Sequence, residues 1–157
     1  MAGSQKRQVL LDTDISLGTP GAEIDDGAAL IALLESASLE VKAITTVHGN
    51  VGAELAMHNL QRLLSYLNRT EIALGSGAEQ PLVGDNNWFE AWQSEYGRTP
   101  LWPGFEVAPP AAGLIVETIR ANPNRISILA IGPLTNLAVA VQAAPDIIPL
   151  VESLIVM

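Results

Sequence analysis

The chain has 157 residues, 48% of them apolar, which is enough for one domain with a sizeable core. Seventeen acidic against eight basic residues leave a net charge of −9, with no basic stripe and few aromatics. That balance argues against nucleic acid as a partner and against a polyanionic substrate unless a cation intervenes. Cysteine is absent, which removes any disulfide framework, and the basic start Lys6-Arg7 runs into too short an apolar stretch for a signal peptide or a membrane span. The cytoplasm is the compartment these features predict.

Residues 8–12, Gln-Val-Leu-Leu-Asp, read as a buried strand. A helix is predicted over 25–36, apolar nearly all round through Ala28, Ala29, Leu30, Ile31, Ala32, Leu33 and Leu34, and therefore sandwiched in the interior. The β-branched run 40–47 is a second strand. After His48-Gly49-Asn50 comes a helical spacing with Ala56, Leu60, Leu63 and Leu67 on one face. Glu54, His58, Gln61, Arg62 and Ser65 fall on the other, which places His58 in solvent. Residues 71–75 suggest a third short strand.

From 76 to 110 the periodicity fails. All three tryptophans lie here (Trp88, Trp92, Trp102), and so long an insert is usually functional, so stretch 84–104 either pins a surface excursion to the core or contacts substrate. A helix follows at 111–121, stopped by Asn122-Pro123. Then come a strand at 126–131 and a helix from Pro133 through Ala144. The terminal Ser153-Leu154-Ile155-Val156-Met157 has the continuous apolar character of a central strand covered on both faces. On that reading residues 1–157 are the N-terminal part of a single larger domain, stopping inside a core strand; the alternative is a natural edge strand. The alternation implies an α/β fold of three layers, a mostly parallel central sheet with helices on both faces.

Chemistry concentrates at the end of the first strand and the start of the first helix, in Asp12-Thr13-Asp14 and Asp25-Asp26. Two carboxylates about 4 Å apart at an effective dielectric near 20 repel by roughly 4 kcal/mol, so such a cluster must be protonated, hydrated or bridged by a cation. A hard divalent ion with oxygen ligands, calcium or magnesium, suits it. Zinc does not, with no cysteine and only His48 and His58 in the chain. The rival explanation is that Asp25 or Asp26 merely caps the helix. Asp12 and Asp14 weigh toward a ligand site, because they stand where a parallel strand meets its crevice.

Three segments in series resemble the nucleoside hydrolase family, enzymes that cleave the N-glycosidic bond of ribonucleosides. They are Leu11-Asp12-Thr13-Asp14 with Asp25-Asp26, the run Ile44-Thr45-Thr46-Val47-His48-Gly49-Asn50-Val51, and Ile131-Gly132-Pro133-Leu134-Thr135-Asn136-Leu137-Ala138. The first departs from the family's Asp-x-Asp-Pro-Gly-x-Asp-Asp pattern: ten residues, 15 to 24, stand where that pattern has three. The resemblance implies a nucleoside-hydrolase-like sheet of Rossmann-like order and hydrolysis of ribonucleosides to free base and ribose by a calcium-activated water. It implies calcium (Ca2+) held by Asp14, Asp26 and the main-chain carbonyl of Ile131, with Asp14 also taking the proton of the water. Asp25 and Asn50 would bind the sugar and Asp12 would support from behind. His48, beside Gly49-Asn50, is a candidate substrate contact. A further aspartate ligand and the acid for the leaving group would lie outside these residues, so the fragment alone would be inactive. A salvage role, a small-molecule nucleoside as partner and a homo-oligomer at full length are also implied.

Two other readings stay open. A hydrophobic strand ending in Asp-x-Asp also resembles magnesium-dependent haloacid-dehalogenase-type phosphatases, although Asp25-Asp26, the Leu134-Thr135-Asn136 turn and the lack of any lysine after Lys42 argue against them. A non-catalytic ribose- or calcium-binding module on the same fold is the third.

Overall fold

The computed structural model describes residues 6–85, 91, 95 and 102–157. Among these, five strands form one sheet: β1 (Arg7–Thr13), β2 (Leu39–Thr46), β3 (Ala73–Gly75), β4 (Ile126–Ala130) and β5 (Val151–Val156). Their order is β3-β2-β1-β4-β5 and every pairing is parallel. The helices are α1 (Asp25–Glu35), α2 (Ala53–Tyr66), α3 (Ala111–Ala121) and α4 (Thr135–Ala143), and a 3-10 turn over Pro145–Leu150 leads into β5. The α/β expectation and its alternation are borne out, with boundaries within a few residues of those read from the sequence.

Period-two alternation along the strands divides the core. Leu11 and Ile44 point to one face, where they pack with Leu30 of α1 and Met57, Leu60 and Leu64 of α2. Their neighbours Leu10 and Ala43 point to the other, against Ile115 and Ile119 of α3 and Leu137 and Ala140 of α4. Strand order reverses beside β1: β2 and β3 lie to one side, β4 and β5 to the other. The carboxyl ends of β1 and β4 therefore flank a topological switch point, where open α/β sheets hold their ligands.

Strand β5 is outermost in the described sheet, with Leu154, Ile155 and Val156 each about half exposed. Two expectations are corrected. Helix α1 is not sandwiched: among its residues Asp26, Gly27 and Leu30 are buried, while Ile31 is 37% exposed. His58 is not in solvent. Its ring stacks on Phe105 with centroids 3.8 Å apart, and Gln61, one turn on, exchanges two hydrogen bonds with the backbone of Glu106 at 2.7 and 2.9 Å. The segment after the insert covers the face that helical periodicity had assigned to water. Burial also holds the His58 imidazole below its ordinary pKa.

Trp102 lines a cavity of about 140 Å³ with Gln61, Leu64 and Leu74, and no residue of the Asp cluster lines it. Trp88 and Trp92 lie outside the described residues. Helix α2 takes its N-terminal cap from far along the chain: the Glu79 carboxylate accepts the Ala53 and Glu54 N–H groups at 3.0 and 2.7 Å.

Candidate active site

The end of β1 sorts three consecutive polar residues by the same alternation that sorts the core. Asp12 continues the Leu10 side toward α4, Thr13 continues the Leu11 side toward α1, and Asp14 leaves the strand at the switch point. Each is buried and each has a partner on its own side.

Asp12 Oδ1 accepts the Thr45 hydroxyl at 2.5 Å and the Asn136 amide at 2.8 Å, while Oδ2 is buried without a partner. Burial raises its pKa to about 6 despite those two bonds. Thr13 donates its hydroxyl to Asp26 Oδ2. Asp14 Oδ2 accepts the main-chain N–H of Asn50 at 2.6 Å. Glycine is required just before that contact, since a Cβ on Gly49 would fall 1.9 Å from the same oxygen.

Asp14 and Asp26 come together within hydrogen-bonding reach of each other. Both carboxyls are raised above their ordinary range, Asp26 to about 7, and burial is the main cause for each; the charges of Asp14 and Asp25 add to it at Asp26, while at Asp14 hydrogen bonds from the Asn50 main chain and Asp26 pull the other way and Asp25 adds to the rise. Asp25 is exposed on the first turn of α1. Capping does not account for the pair: Ile24 occupies the cap position and no side chain caps the helix.

Ile131 reaches the cluster from β4. Its N–H bonds the Asp12 carbonyl at 2.9 Å, and a Cβ on the next residue, Gly132, would lie 3.1 Å from Asp14 Oδ1. His48 is buried, with Nε2 at 2.9 Å from the Thr135 hydroxyl and Nδ1 unpartnered. Asn50 is half-buried. The structure thus gathers Asp12, Asp14, Asp26, Asn50 and Ile131 at one end of β1, with Asp25 exposed on the first turn of α1 and His48 buried against Thr135.

Among the described residues no group of three or more His, Cys, Asp or Glu side chains is arranged to hold a metal. The oxygens brought together are the carboxylates of Asp14 and Asp26, with the Ile131 main chain alongside. They fit part of a calcium shell, which takes six to eight oxygens including carbonyls. Two buried carboxyls this close disfavour double ionisation, and a cation between them would relieve that cost.

A family profile described as inosine-uridine preferring nucleoside hydrolase matches residues 9–157. The chain belongs to the nucleoside hydrolase family. Relatives of this family member include "Probable uridine nucleosidase 2" of Arabidopsis thaliana, 34% identical over 93% of this chain and 45% of the relative. "Pyrimidine-specific ribonucleoside hydrolase RihA" of Escherichia coli O7:K1 is also 34% identical, over 95% of this chain and 47% of the relative. Among solved structures, the chain is similar to "Plant nucleoside hydrolase - PpNRh1 enzyme", with a TM-score of 0.78 and 29% identity over 96% of this chain and 47% of that one. It is likewise similar to "Inosine-Guanosine Nucleoside Hydrolase (IG-NH)", with a TM-score of 0.75 and 27% identity over 97% and 47%. The chain spans about half the length of the curated relatives it matches. Family membership displaces the phosphatase reading of the first strand.

Sequence reasoning missed four supports of this cluster: Thr13, Thr45, Asn136 and the main-chain amide of Asn50. Asn136 stood in a quoted motif without a role. Its distance of 124 residues from Asp12 hides the contact until the sheet is assembled.

Proposed function

We propose that the complete protein hydrolyses the N-glycosidic bond of ribonucleosides, with calcium as cofactor, as a cytoplasmic salvage enzyme that works as a homo-oligomer. The observation that carries this reading is the buried Asp14–Asp26 pair at the switch point, with both carboxyls raised and the end of β4 alongside. Asp14, Asp26 and the Ile131 carbonyl are the residues that would hold the ion. Calcium bound there supplies a Lewis acid that orients a water and lowers its pKa.

Asp14 would take the proton of the attacking water, its Oδ2 steadied by the Asn50 N–H. Asp25, on the first turn of α1, accepts a ribose hydroxyl, and Asn50 orients the sugar. His48 contacts substrate through the ring nitrogen not engaged by Thr135, and Asp12 supports from behind. As the C1′–N bond breaks, the base leaves with its electron pair and the sugar becomes oxocarbenium-like, a cation favoured by surrounding carboxylates. The proton for the leaving base and the remaining metal ligand come from outside residues 1–157, so the fragment alone is inactive. On this view β5 lies inside the sheet of the complete domain, with a further strand on its outer side.

Uridine and inosine are the substrates to assay first, since relatives are named for uridine, pyrimidine and inosine nucleosides. The test is release of free base from each by the full-length protein with calcium and with chelator. Calcium-dependent release supports the reading. Calcium binding without any hydrolysis would leave the ribose- or calcium-binding module in its place.

A further inference from the structure

Asn136 is a buried amide whose hydrogen bonds converge on the supports of Asp14. It sits on the first turn of α4, 2% exposed. Its Nδ2 donates to Asp12 Oδ1 at 2.8 Å and to the Thr46 carbonyl at 2.8 Å, and its Oδ1 accepts the Ala78 N–H at 3.0 Å. Two acceptors on one side and a donor on the other fix the orientation of the amide. The chain passes so close over it that a Cβ on Gly77 would fall 1.9 Å from the Thr46 carbonyl oxygen and 2.4 Å from Asn136 Nδ2.

Both of its donor bonds end on the strands that hold Asp14. Asp12 is two residues before Asp14 on β1. Thr46 ends β2, and the next residue, Val47, donates to the Thr13 carbonyl at 3.1 Å, while Asn50 a few residues on donates to Asp14 itself. One side chain from α4, the helix after β4, therefore clamps the β1 end to the neighbouring β2 end.

We propose that Asn136 is a positioning residue of this site, which through Asp12 and Thr46 sets where Asp14 stands for the cation and the water. The inference rests on the hydrolase reading for its activity arm and on calcium binding alone for its other arm. Removing the amide leaves Asp12 with Thr45 as its remaining partner and strands the buried Thr46 carbonyl and Ala78 N–H.

The experiment compares full-length wild type with Asn136→Ala, and with Asn136→Ser should the alanine variant give no folded protein. Calcium affinity is measured by calorimetry and kcat and KM on the better of uridine and inosine. The calcium Kd rises about 10–100-fold and kcat at saturating calcium falls by a comparable factor, with KM changed by less than about threefold. In an Asp12→Asn background the same change at 136 alters the calcium Kd by less than about twofold, because the two residues act as one unit. Gln61→Ala, which also deletes two buried-side hydrogen bonds but on the far side of α2, lowers Tm and leaves Kd and kcat at wild-type values. A folded position-136 variant with reduced Tm but wild-type calcium Kd and kcat overturns the proposal, as do fully additive effects with Asp12→Asn. A wild type that binds calcium but hydrolyses no nucleoside removes the hydrolase reading, and the calcium arm still decides Asn136. A wild type without calcium affinity overturns both.

Discussion

The end of β1 and the length of β5 depart from ordinary sorting by polarity in opposite directions. At the first, Asp12, Asp14 and Asp26 are at least 95% buried; at the second, Leu154, Ile155 and Val156 are about half exposed. Buried charge is tolerated at β1 because each carboxyl has a donor close by, from Thr45, Asn136, Thr13 or the Asn50 main chain. Nothing comparable offsets the apolar surface of β5. The comparison teaches that buried carboxyls are kept where donors converge on them, whereas an apolar strand face left open is surface of the kind that marks an interface.

The sharpest way to break this contrast is Asp26→Asn in the full-length protein. Calcium binding weakens strongly and nucleoside turnover is nearly abolished; calorimetry and steady-state kinetics check it, and wild-type values would take the β1 cluster out of the chemistry. Asp14→Ala comes next. It lowers kcat by about 10²–10⁴-fold with a smaller change in KM, as loss of a general base does, and an unchanged kcat is the contrary result.

The β5 side is probed by Ile155→Asp. If a further strand covers β5, urea denaturation of the full-length protein shows a loss of about 2 kcal/mol or more, whereas a bare edge gives a change within about 0.5 kcal/mol.

A fourth test uses pH. The folded-state pKa values of Asp12, about 6, and Asp26, about 7, lie above the ordinary 3.8, so the native state binds more protons than the unfolded chain between these values. Calcium-free protein is therefore more stable near pH 4.5 and loses stability as pH rises through 6 to 7. Saturating calcium, which favours the ionised carboxylates, flattens the decline. Tm measured across pH 4.5–8 with chelator and with calcium checks both halves, and a calcium-free Tm that climbs over this range contradicts the raised values. The smallest effect is Gln61→Ala, a Tm decrease corresponding to about 1–2 kcal/mol from two lost hydrogen bonds.

The alternation of strands and helices was legible because the strands read as short apolar or β-branched runs, the helices as longer apolar or helically spaced stretches, and one helix carries a stop at Asn122-Pro123. The acidic cluster was legible because Asp12, Asp14, Asp25 and Asp26 are close in sequence. His58 was misjudged because helical periodicity says which face is polar and not what lies over it; Phe105, 47 residues away, does. The interior placement of α1 was misjudged for a related reason, since apolar composition measures what a helix tolerates burying and not how much neighbouring chain reaches it.

By itself, then, the sequence determined the element order, the two-faced sheet and the identity of the acidic residues, all consequences of local pattern. Only the tertiary structure decided their roles. Pleating turns Asp12 toward α4 and Thr13 toward α1, strand order brings Ile131 and Asn50 to Asp14, and a helix that begins 121 residues after Asp14 supplies the amide that locks the arrangement. Those pairings depend on which strands are neighbours, and no local spacing encodes that.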